Sequence, residues 1–394
     1  MDFTLYANRP VENYHKIDIW LLVSILLLWG LGIFTLYISS QDFAIRRFHN
    51  PMYFVNRQLI CSLAGFVLFF AFLFVDMNII KKFVGIIVLA SIILCIFTFI
   101  PGIGEEKNNA RRWIKMPFNF SFQPSELVKL SVVLFLANYF EKQSELADPE
   151  EKTVFPAVVG FVLMFSLVFA QKDFSTGLFI FLVGLLLFFV SGSKLTWIFP
   201  FMLIAIPALI LMISLEPYRL ERIIGFLRPD EYGRTINYQI LQAKRAISAG
   251  GFWGNGIGAG LIRINSIPEI QSDYIFAGWT ESMGLFGVII YFIILVFFAY
   301  RGYRTALLCP KRFDSYVAFG CVTIIVMQSL INCAVVCGFF PTTGIPLPFF
   351  SLGGSSIIIS LAMAGLILNA SRCEEEVERY NKTEEVDIEA LTVL

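Results

Sequence analysis

Long apolar runs, separated by short polar connections, make up most of the chain. Most of these runs approach the ~20 residues that an α-helix needs to cross the hydrocarbon core of a bilayer. The pattern therefore predicts an all-α polytopic membrane protein with about ten transmembrane helices. The ten predicted spans are residues 17–38, 59–75, 83–100, 125–140, 154–170, 176–190, 195–215, 274–299, 317–337 and 351–368.

One polar connection is much longer than the others. It covers residues 216–272 and separates the seventh predicted span from the eighth. With this loop set aside, Lys and Arg are in excess in the connections that share a side with the two termini, which indicates cytoplasmic termini and an extracytoplasmic long loop. We expect residues 1–371 to form a single integral-membrane domain, and the acidic residues 372–394 to form a flexible cytoplasmic tail.

Composition supports the membrane assignment and narrows the possible chemistry. The chain is 57% hydrophobic, with a mean hydropathy of +0.74 and 42 phenylalanines, far above a soluble domain. Its two histidines, His15 and His49, lie near the N-terminus and away from the other polar clusters. A Ser-His-Asp triad, a Cys-His pair and a His-based metal site are therefore poorly supported. The seven cysteines show no disulfide-framework or zinc-site spacing, so carboxylates and basic residues would have to perform any catalysis.

Acidic residues crowd the junction between the long loop and the eighth predicted span. Glu269 and Asp273 stand at the junction itself, and Glu281 lies eight residues further along, on roughly the same helix face as Asp273. A charge deep in a transmembrane helix costs about 2.5–3.5 kcal/mol on insertion scales, so such residues usually have a function. This junction is the first candidate site.

A second charged pair lies at the start of the fourth predicted span. Pro124 suits the first turn of a helix, and Glu126 and Lys129 then share one helix face at i, i+3. We expect them to form an ion pair inside the membrane. The pair either orients the fourth helix or takes part directly in substrate binding.

Three further polar residues allow both a structural and a functional interpretation. Asp173, in the tight link between the fifth and sixth predicted spans, is either a helix-capping residue or part of a site. Lys244 and Arg245, on a predicted interfacial helix in the long loop, contact lipid headgroups or a substrate phosphate, or they simply extend to the membrane surface.

Two glycine-containing segments are expected to be irregular. Residues 250–260 contain a formal G-x-G-x-x-A pattern, but no βαβ unit surrounds it, so we expect a tightly folded loop at the membrane surface rather than a dinucleotide site. Residues 341–354 contain three prolines and three glycines. Irregular backbone near membrane depth is stable only where protein or water satisfies its polar groups, so we expect this segment to pack against a cavity.

Several segments have the character of family motifs: ARRWI at 110–114, FQPSELVKL at 122–130, YQILQAKRAISAGGFWGNGIG at 238–258, IPEIQSDYIFA at 267–277 and TGIPLPFFSLGGSS at 343–356. With these motifs, the chain resembles the SEDS family (shape, elongation, division and sporulation) over nearly its whole length. The division members of the family are more similar than the elongation members, although Asn109, Lys172, Ser175 and Ser282 depart from the usual motifs.

The resemblance implies a peptidoglycan glycosyltransferase that extends glycan chains from lipid II during septal cell-wall synthesis. Asp273 occupies the catalytic position of the family and would act as the general base. The resemblance also implies a multi-pass protein of the cytoplasmic (inner) membrane with its active site on the outer face. Its expected partners are a class B penicillin-binding protein transpeptidase and other division proteins, and no nucleic acid.

Supporting roles in this reaction follow for the other charged residues. Glu269 and Glu281 would support Asp273 by orienting the loop or by binding a cation. Arg111, Arg112 and Arg245 are candidates for binding pyrophosphate, because Arg makes bidentate contacts to phosphate oxygens. A divalent cation, Mg²⁺ or Mn²⁺, is compatible with this site, although the sequence contains no diagnostic set of ligands.

Two other functions fit parts of the same pattern. Intramembrane charges such as Glu126 and Lys129, together with broken helices, would suit a transporter that flips lipid II across the membrane. A non-enzymatic scaffold of the division site would use the helical surfaces, but it would leave Asp273 without a role.

Overall fold

The computed structural model describes residues 17–107, 110–117, 120–146, 153–192, 222, 224–226, 238–256, 267 and 270–372. Within these residues the protein is a helical bundle with one small sheet. Its helices are α1 (Ile19–Phe48), α2 (Tyr53–Phe74), α3 (Met77–Phe97), α4 (Pro124–Glu145), α5 (Phe155–Ala170), α6 (Phe174–Val190), α7 (Tyr238–Gly250), α8 (Ile275–Leu308), α9 (Arg312–Val336) and α10 (Gly354–Arg372).

The small sheet lies between α3 and α4 and was not predicted from the sequence. Its strands are β1 (Gly104–Lys107), β2 (Ala110–Lys115) and β3 (Ser121–Phe122), and they pair antiparallel in that order. The short strands carry no long apolar run, which explains why hydropathy did not reveal them. They bring the ARRWI motif to the same end of the bundle as the start of α4.

Six of the described helices are long and apolar enough to cross a membrane by length and composition. They are α1, α2, α3, α8, α9 and α10, while α5 and α6 are shorter apolar helices. Each agrees in position with a predicted span, and α4, which carries Glu126 and Lys129, agrees with the fourth. The predicted seventh span, 195–215, lies outside the described residues, so the total of ten stays a prediction.

Helices α1 and α8 run antiparallel and mark the two ends of the bundle. At one end, Arg301 of α8 forms a 2.7 Å ion pair with Asp18, the N-cap residue of α1. At the other end, Gly278 of α8 packs against the side chain of Ser39 of α1. We call these ends the Asp18 face and the Asp273 face, because Asp273 lies just before α8.

Helix α10 occupies the centre of the bundle. In its most apolar window 89% of the residues are buried, against 22% in α3, which lies at the periphery. Near its end, Asn369 Nδ2 donates hydrogen bonds to the carbonyl oxygens of Phe72 and Val75, both at 2.6 Å. These bonds use carbonyl groups at the end of α2 that have no partner within their own helix.

Helix α8 is broken at Gly284, where the backbone has φ 63° and ψ −165°. The break removes two helical hydrogen bonds, and a turn at residues 251–256, which follows α7, supplies the missing partners. Four backbone bonds of 2.9–3.1 Å join the two segments: Asn255 N to Glu281 O, Gly256 N to Ser282 O, Leu285 N to Gly251 O and Phe286 N to Phe252 O. The described part of the predicted glycine loop, residues 250–256, therefore packs against the broken helix.

Candidate active site

Asp273 lies beside the irregular segment 341–353, although the two are far apart in the sequence. A Cβ atom placed on Gly344 would be 3.6 Å from Asp273 Oδ2. The buried side chain of Asn332, on α9, holds the two segments together. Its Nδ2 donates to the carbonyl oxygens of Asp273 (3.1 Å) and Ile345 (2.8 Å).

A second set of bonds fixes the two residues that precede Asp273. The hydroxyl of Ser351 donates to the carbonyl oxygen of Ser272 and accepts from the backbone N–H of Leu347 at 2.8 Å. The N–H of Leu352 donates to the carbonyl oxygen of Gln271 at 2.8 Å. Residues 271–273 are thus attached to the irregular segment along their whole length.

The irregular segment is in turn attached to the helices that surround it. Gln58 of α2 donates to the carbonyl oxygen of Ser351 at 3.0 Å, and Gln328 of α9 donates to that of Pro346 at 2.9 Å. Arg222 donates to the carbonyl oxygen of Thr342 at 3.0 Å. Side chains of the protein therefore satisfy three of the carbonyl groups in this irregular segment. The cavity that its composition predicted stays a prediction.

Glu126 and Lys129 form the predicted ion pair, with 2.8 Å between Lys129 Nζ and the carboxylate. Both residues are buried, and Lys129 Nζ also donates to Gln328 Oε1 at 2.9 Å. The Lys129 ammonium lies 5.7 Å from the centre of the Phe179 ring. Because Gln328 also holds the Pro346 carbonyl, the pair on α4 is linked to the irregular segment.

Asp173 is the N-cap residue of α6, but its side chain makes no capping hydrogen bond. Its buried carboxylate instead accepts hydrogen bonds from Gln123 Nε2 (2.9 Å) and Ser125 Oγ (3.2 Å), and forms a 3.5 Å ion pair with Arg112. The N–H of Gln123 donates to Ser355 Oγ at 2.8 Å. Asp173 therefore joins the β2–α4 region to the start of α6.

The other predicted site residues that the structure describes occupy separate positions on the Asp273 face. Glu281 is buried within α8, near the break. Arg111 forms a 3.1 Å ion pair with Glu106 of β1. Lys244 and Arg245 are exposed on α7, and the Lys244 side chain lies directly over Gly338, just beyond α9. Glu269 lies outside the described residues.

Four polar residues that hold this site together were not singled out from the sequence: Gln58, Gln328, Asn332 and Ser351. The sequence contains a pattern that could have identified two of them. Gln328 and Asn332 are amides four residues apart in an otherwise apolar span, and one helix face therefore carries both. Buried amides need partners, which makes such a pair a marker of a polar contact between helices.

The described residues contain no group of three or more His, Cys, Asp or Glu side chains that could hold a metal ion. The carboxylate of Asp273 lies beside the irregular segment, next to Gly344. A carboxylate held at this place can accept a proton from a hydroxyl group that approaches it. Binding of a divalent cation, Mg²⁺ or Mn²⁺, at this site stays a prediction from the sequence.

Comparison with known proteins gives a consistent result over nearly the whole length. The family model of the cell cycle proteins FtsW, RodA and SpoVE matches residues 19–376. A probable peptidoglycan glycosyltransferase FtsW from Geobacter sp. (strain M18) is 33% identical over 363 residues, covering 92% of this chain and 98% of that protein. Stage V sporulation protein E from Bacillus subtilis (strain 168) is 32% identical over 355 residues, covering 90% and 97%.

Solved structures have the same fold. A chain in a structure concerning the coordination of polymerization and crosslinking by a peptidoglycan synthase complex superposes with a TM-score of 0.72. It is 26% identical, and the match covers 91% of this chain and 98% of that chain. The rod shape determining protein RodA of Thermus thermophilus gives a TM-score of 0.66 at 24% identity and the same coverage, which shows the shared fold.

Proposed function

Because the chain belongs to the FtsW/RodA/SpoVE family of cell cycle proteins, we propose that it is a peptidoglycan glycosyltransferase. It polymerises lipid II into glycan strands during septal cell-wall synthesis, with Asp273 as the general base. The observation that carries this proposal is the attachment of residues 271–273 to the irregular segment 341–353, which fixes the main chain that carries the Asp273 carboxylate.

In the proposed reaction, the main chemical task of the protein is to remove a proton from the attacking hydroxyl group. The 4-hydroxyl of the acceptor GlcNAc attacks the anomeric carbon of the donor chain, and the bond from that carbon to the lipid pyrophosphate breaks. Pyrophosphate is a good leaving group without a general acid, whereas the attacking hydroxyl must lose a proton. Asp273 takes this proton, a role that typically contributes about 100-fold to 10,000-fold in rate.

The surroundings of Asp273 support this role in two ways. The N-cap residue of α8 is Tyr274, so Asp273 lies just outside the helix, at its start. Asn332 holds the Asp273 main chain through a carbonyl oxygen. The main chain that carries the carboxylate is therefore held in place, and fixed positioning of a reacting group is a large part of what catalysis requires.

Charged groups on the same face complete the proposed site. Glu281 and Glu269 support Asp273. Arg111, Arg112 and Arg245, with Lys244, bind the pyrophosphate of the lipid-linked sugars, since Arg matches phosphate oxygens bidentately. The ion pair between Arg112 and the buried Asp173 keeps that guanidinium beside the start of α6. The ion pair of Glu126 and Lys129 positions Gln328, and Gln328 in turn holds the irregular segment beside Asp273.

The proposal includes a location and partners. The Asp273 face is the outer face of the cytoplasmic membrane, where lipid II is polymerised. A class B penicillin-binding protein transpeptidase crosslinks the product, consistent with the similar chain in a synthase complex that coordinates polymerization with crosslinking. Other division proteins complete the assembly.

A lipid II flippase is the second candidate, and the broken helix favours it. Transporters often use discontinuous helices and buried charges near the middle of the membrane, and α8 has a break at Gly284 while α4 carries a buried ion pair. The turn at 251–256 already pairs the backbone groups at that break. A glycosyltransferase therefore remains the better explanation of the site.

Polymerisation of purified lipid II tests the proposal directly. The purified protein with its transpeptidase partner is given lipid II, and the native chain is compared with Asp273→Asn. We expect glycan polymer from the native chain and a loss of at least about 100-fold in the variant, because the proton acceptor is gone. Asn332 binds the main chain of residue 273, which the substitution leaves in place. The variant should therefore have the same unfolding temperature as the native chain.

Glu105→Gln is the matched control, because it removes a carboxylate from β1 on the same face and should leave polymer yield unchanged. Equal yield from Asp273→Asn would show that Asp273 is not the base. Absence of polymer from the native chain, with lipid II translocation in vesicles, would replace the glycosyltransferase with a flippase.

A further inference from the structure

The turn at 251–256 has a fixed position against α8. A Cβ atom on Gly254 would lie 2.2 Å from the carbonyl oxygen of Ser282, and one on Gly284 would lie 2.3 Å from the N atom of Gly254. The two backbones are thus in direct contact, in addition to their four hydrogen bonds. Moving the turn away would unpair these groups inside the membrane domain, at a cost of about several kcal/mol for each group.

The tip of this turn is aromatic and exposed. The side chain of Phe252 is 51% exposed and that of Trp253 is 73% exposed. The Trp253 ring lies 5.5 Å from the ring of Phe286, another exposed residue, which is just beyond the break in α8. Large exposed aromatic groups that are held together on a rigid backbone mark an interaction surface.

The position of the break along α8 gives the depth of this tip. At a rise of ~1.5 Å per residue, Gly278 and Arg301 are about 35 Å apart, close to one bilayer thickness. Gly284 then lies about 9 Å below Gly278 on the same scale, which is within the ~5–10 Å to which interfacial segments sink. With Gly278 taken as the level of the membrane surface, this spacing puts the tip at the boundary between headgroups and acyl chains.

The surface on both sides of the tip agrees with this depth. Toward the Asp18 face, every exposed residue of α8 between positions 285 and 297 is apolar. On the other side of the tip, α7 packs against Gly338, just beyond the end of α9, and exposes Lys244 and Arg245. Cations above an aromatic insertion are typical of segments that lie in a membrane interface. The exposed α8 residues are Leu285, Phe286, Ile289, Ile293, Val296 and Phe297.

We propose that the turn at 251–256 is a lipid anchor, whose Phe252 and Trp253 side chains insert among the acyl chains of the leaflet on the Asp273 face. The partner of this surface is the bilayer itself, because the tip continues the exposed apolar surface of α8 between residues 285 and 297. Since the turn also closes the break in α8, the anchor connects the leaflet to the helix that begins beside Asp273. The proposal does not depend on the reaction that the protein catalyses.

Fluorescence quenching by lipid tests this anchor. The other five of the six tryptophans are changed to Phe, and the protein with Trp253 alone is reconstituted in nanodiscs. Lipids brominated near the carboxyl end of the acyl chain should lower its emission about twofold, because bromine quenches at short range and the tip sits at interfacial depth. Lipids brominated near the methyl end should quench less, and aqueous iodide should have little effect.

A variant that keeps only Trp113, on β2, is the matched control and should respond to iodide rather than to brominated lipid. If the multiple variant does not fold, the emission difference between the native chain and Trp253→Phe gives the same information. Quenching of Trp253 by iodide without quenching by lipid would overturn the anchor. Loss of lipid quenching when the transpeptidase partner is added would assign the surface to that protein instead.

Discussion

Gly344 has a backbone conformation that other residues avoid, at a point next to the Asp273 carboxylate. Its φ is +70°, in the left-handed region where a side chain costs about 1–2 kcal/mol. This conformation turns the irregular segment so that Ile345 and Pro346 direct their carbonyl oxygens to Asn332 and Gln328. One glycine therefore determines where the segment meets the candidate site.

Changing Gly344→Ala should lower both stability and polymer synthesis. The added methyl group has room, at 3.6 Å from Asp273 Oδ2, so the expected loss of about 1–2 kcal/mol comes from backbone strain. Thermal unfolding in detergent and the lipid II assay measure the two effects. Gly353→Ala is the control, since its methyl group has similar space, 3.5 Å from Ser356 Cβ, without a positive φ. Equal effects of the two variants would contradict the strain argument.

At the scale of elements, α4 and α9 are joined through the buried pair of Glu126 and Lys129. Lys129 binds Gln328 of α9, so the ion pair also positions the amide that holds the irregular segment. A buried charge without its partner is strongly unfavourable, whereas the loss of both charges together is tolerated better. The two members of the pair should therefore be energetically coupled.

A double-mutant cycle at these positions measures that coupling. Lys129→Met and Glu126→Gln should each lower stability by about 3–5 kcal/mol, because each leaves one buried charge. The double variant should lose less than the sum of the two. Thermal unfolding gives the coupling, and additive losses would contradict it. Polymer synthesis by the double variant then separates the two possible roles of the pair. If the pair is structural, activity should recover together with stability. If it contacts the substrate, activity should stay low even where stability recovers.

At the scale of the whole molecule, the count of Lys and Arg in the sequence, with the long loop set aside, predicts that the Asp18 face is cytoplasmic. Basic residues at helix ends on the Asp18 face include Lys81, Arg301, Arg304 and Arg312. An excess of Lys and Arg in short connections indicates the cytoplasmic side. We therefore expect the Asp273 face, with the β-sheet and the irregular segment, to face outward.

Cysteine labelling in intact cells tests this orientation. In a background without the native cysteines, Met116→Cys on the Asp273 face should react with a membrane-impermeant maleimide before permeabilisation. Lys311→Cys, between α8 and α9 on the Asp18 face, should react only afterwards, and both side chains are exposed. The reverse order of labelling would place Asp273 in the cytoplasm and would exclude polymerisation on the outer face.

The sequence alone determined the features that depend on neighbouring residues. Apolar runs predicted each described span, because a bilayer requires a continuous apolar stretch of fixed length. The Glu126–Lys129 pair followed from the i, i+3 spacing, which puts both side chains on one helix face. The motifs gave the family, which the comparisons confirm. The same reasoning indicated that residues 341–354 need partners, but not which ones.

The tertiary structure decided which distant polar groups meet. Asp273 lies near Gly344 because Asn332 and Ser351 bind both segments, and no local pattern specifies hydrogen bonds between residues so far apart in the chain. The break at Gly284 was hidden for the same reason. A glycine in an apolar run resembles any helical glycine, and this one leaves the helix because a turn more than 25 residues earlier supplies its neighbours with backbone partners.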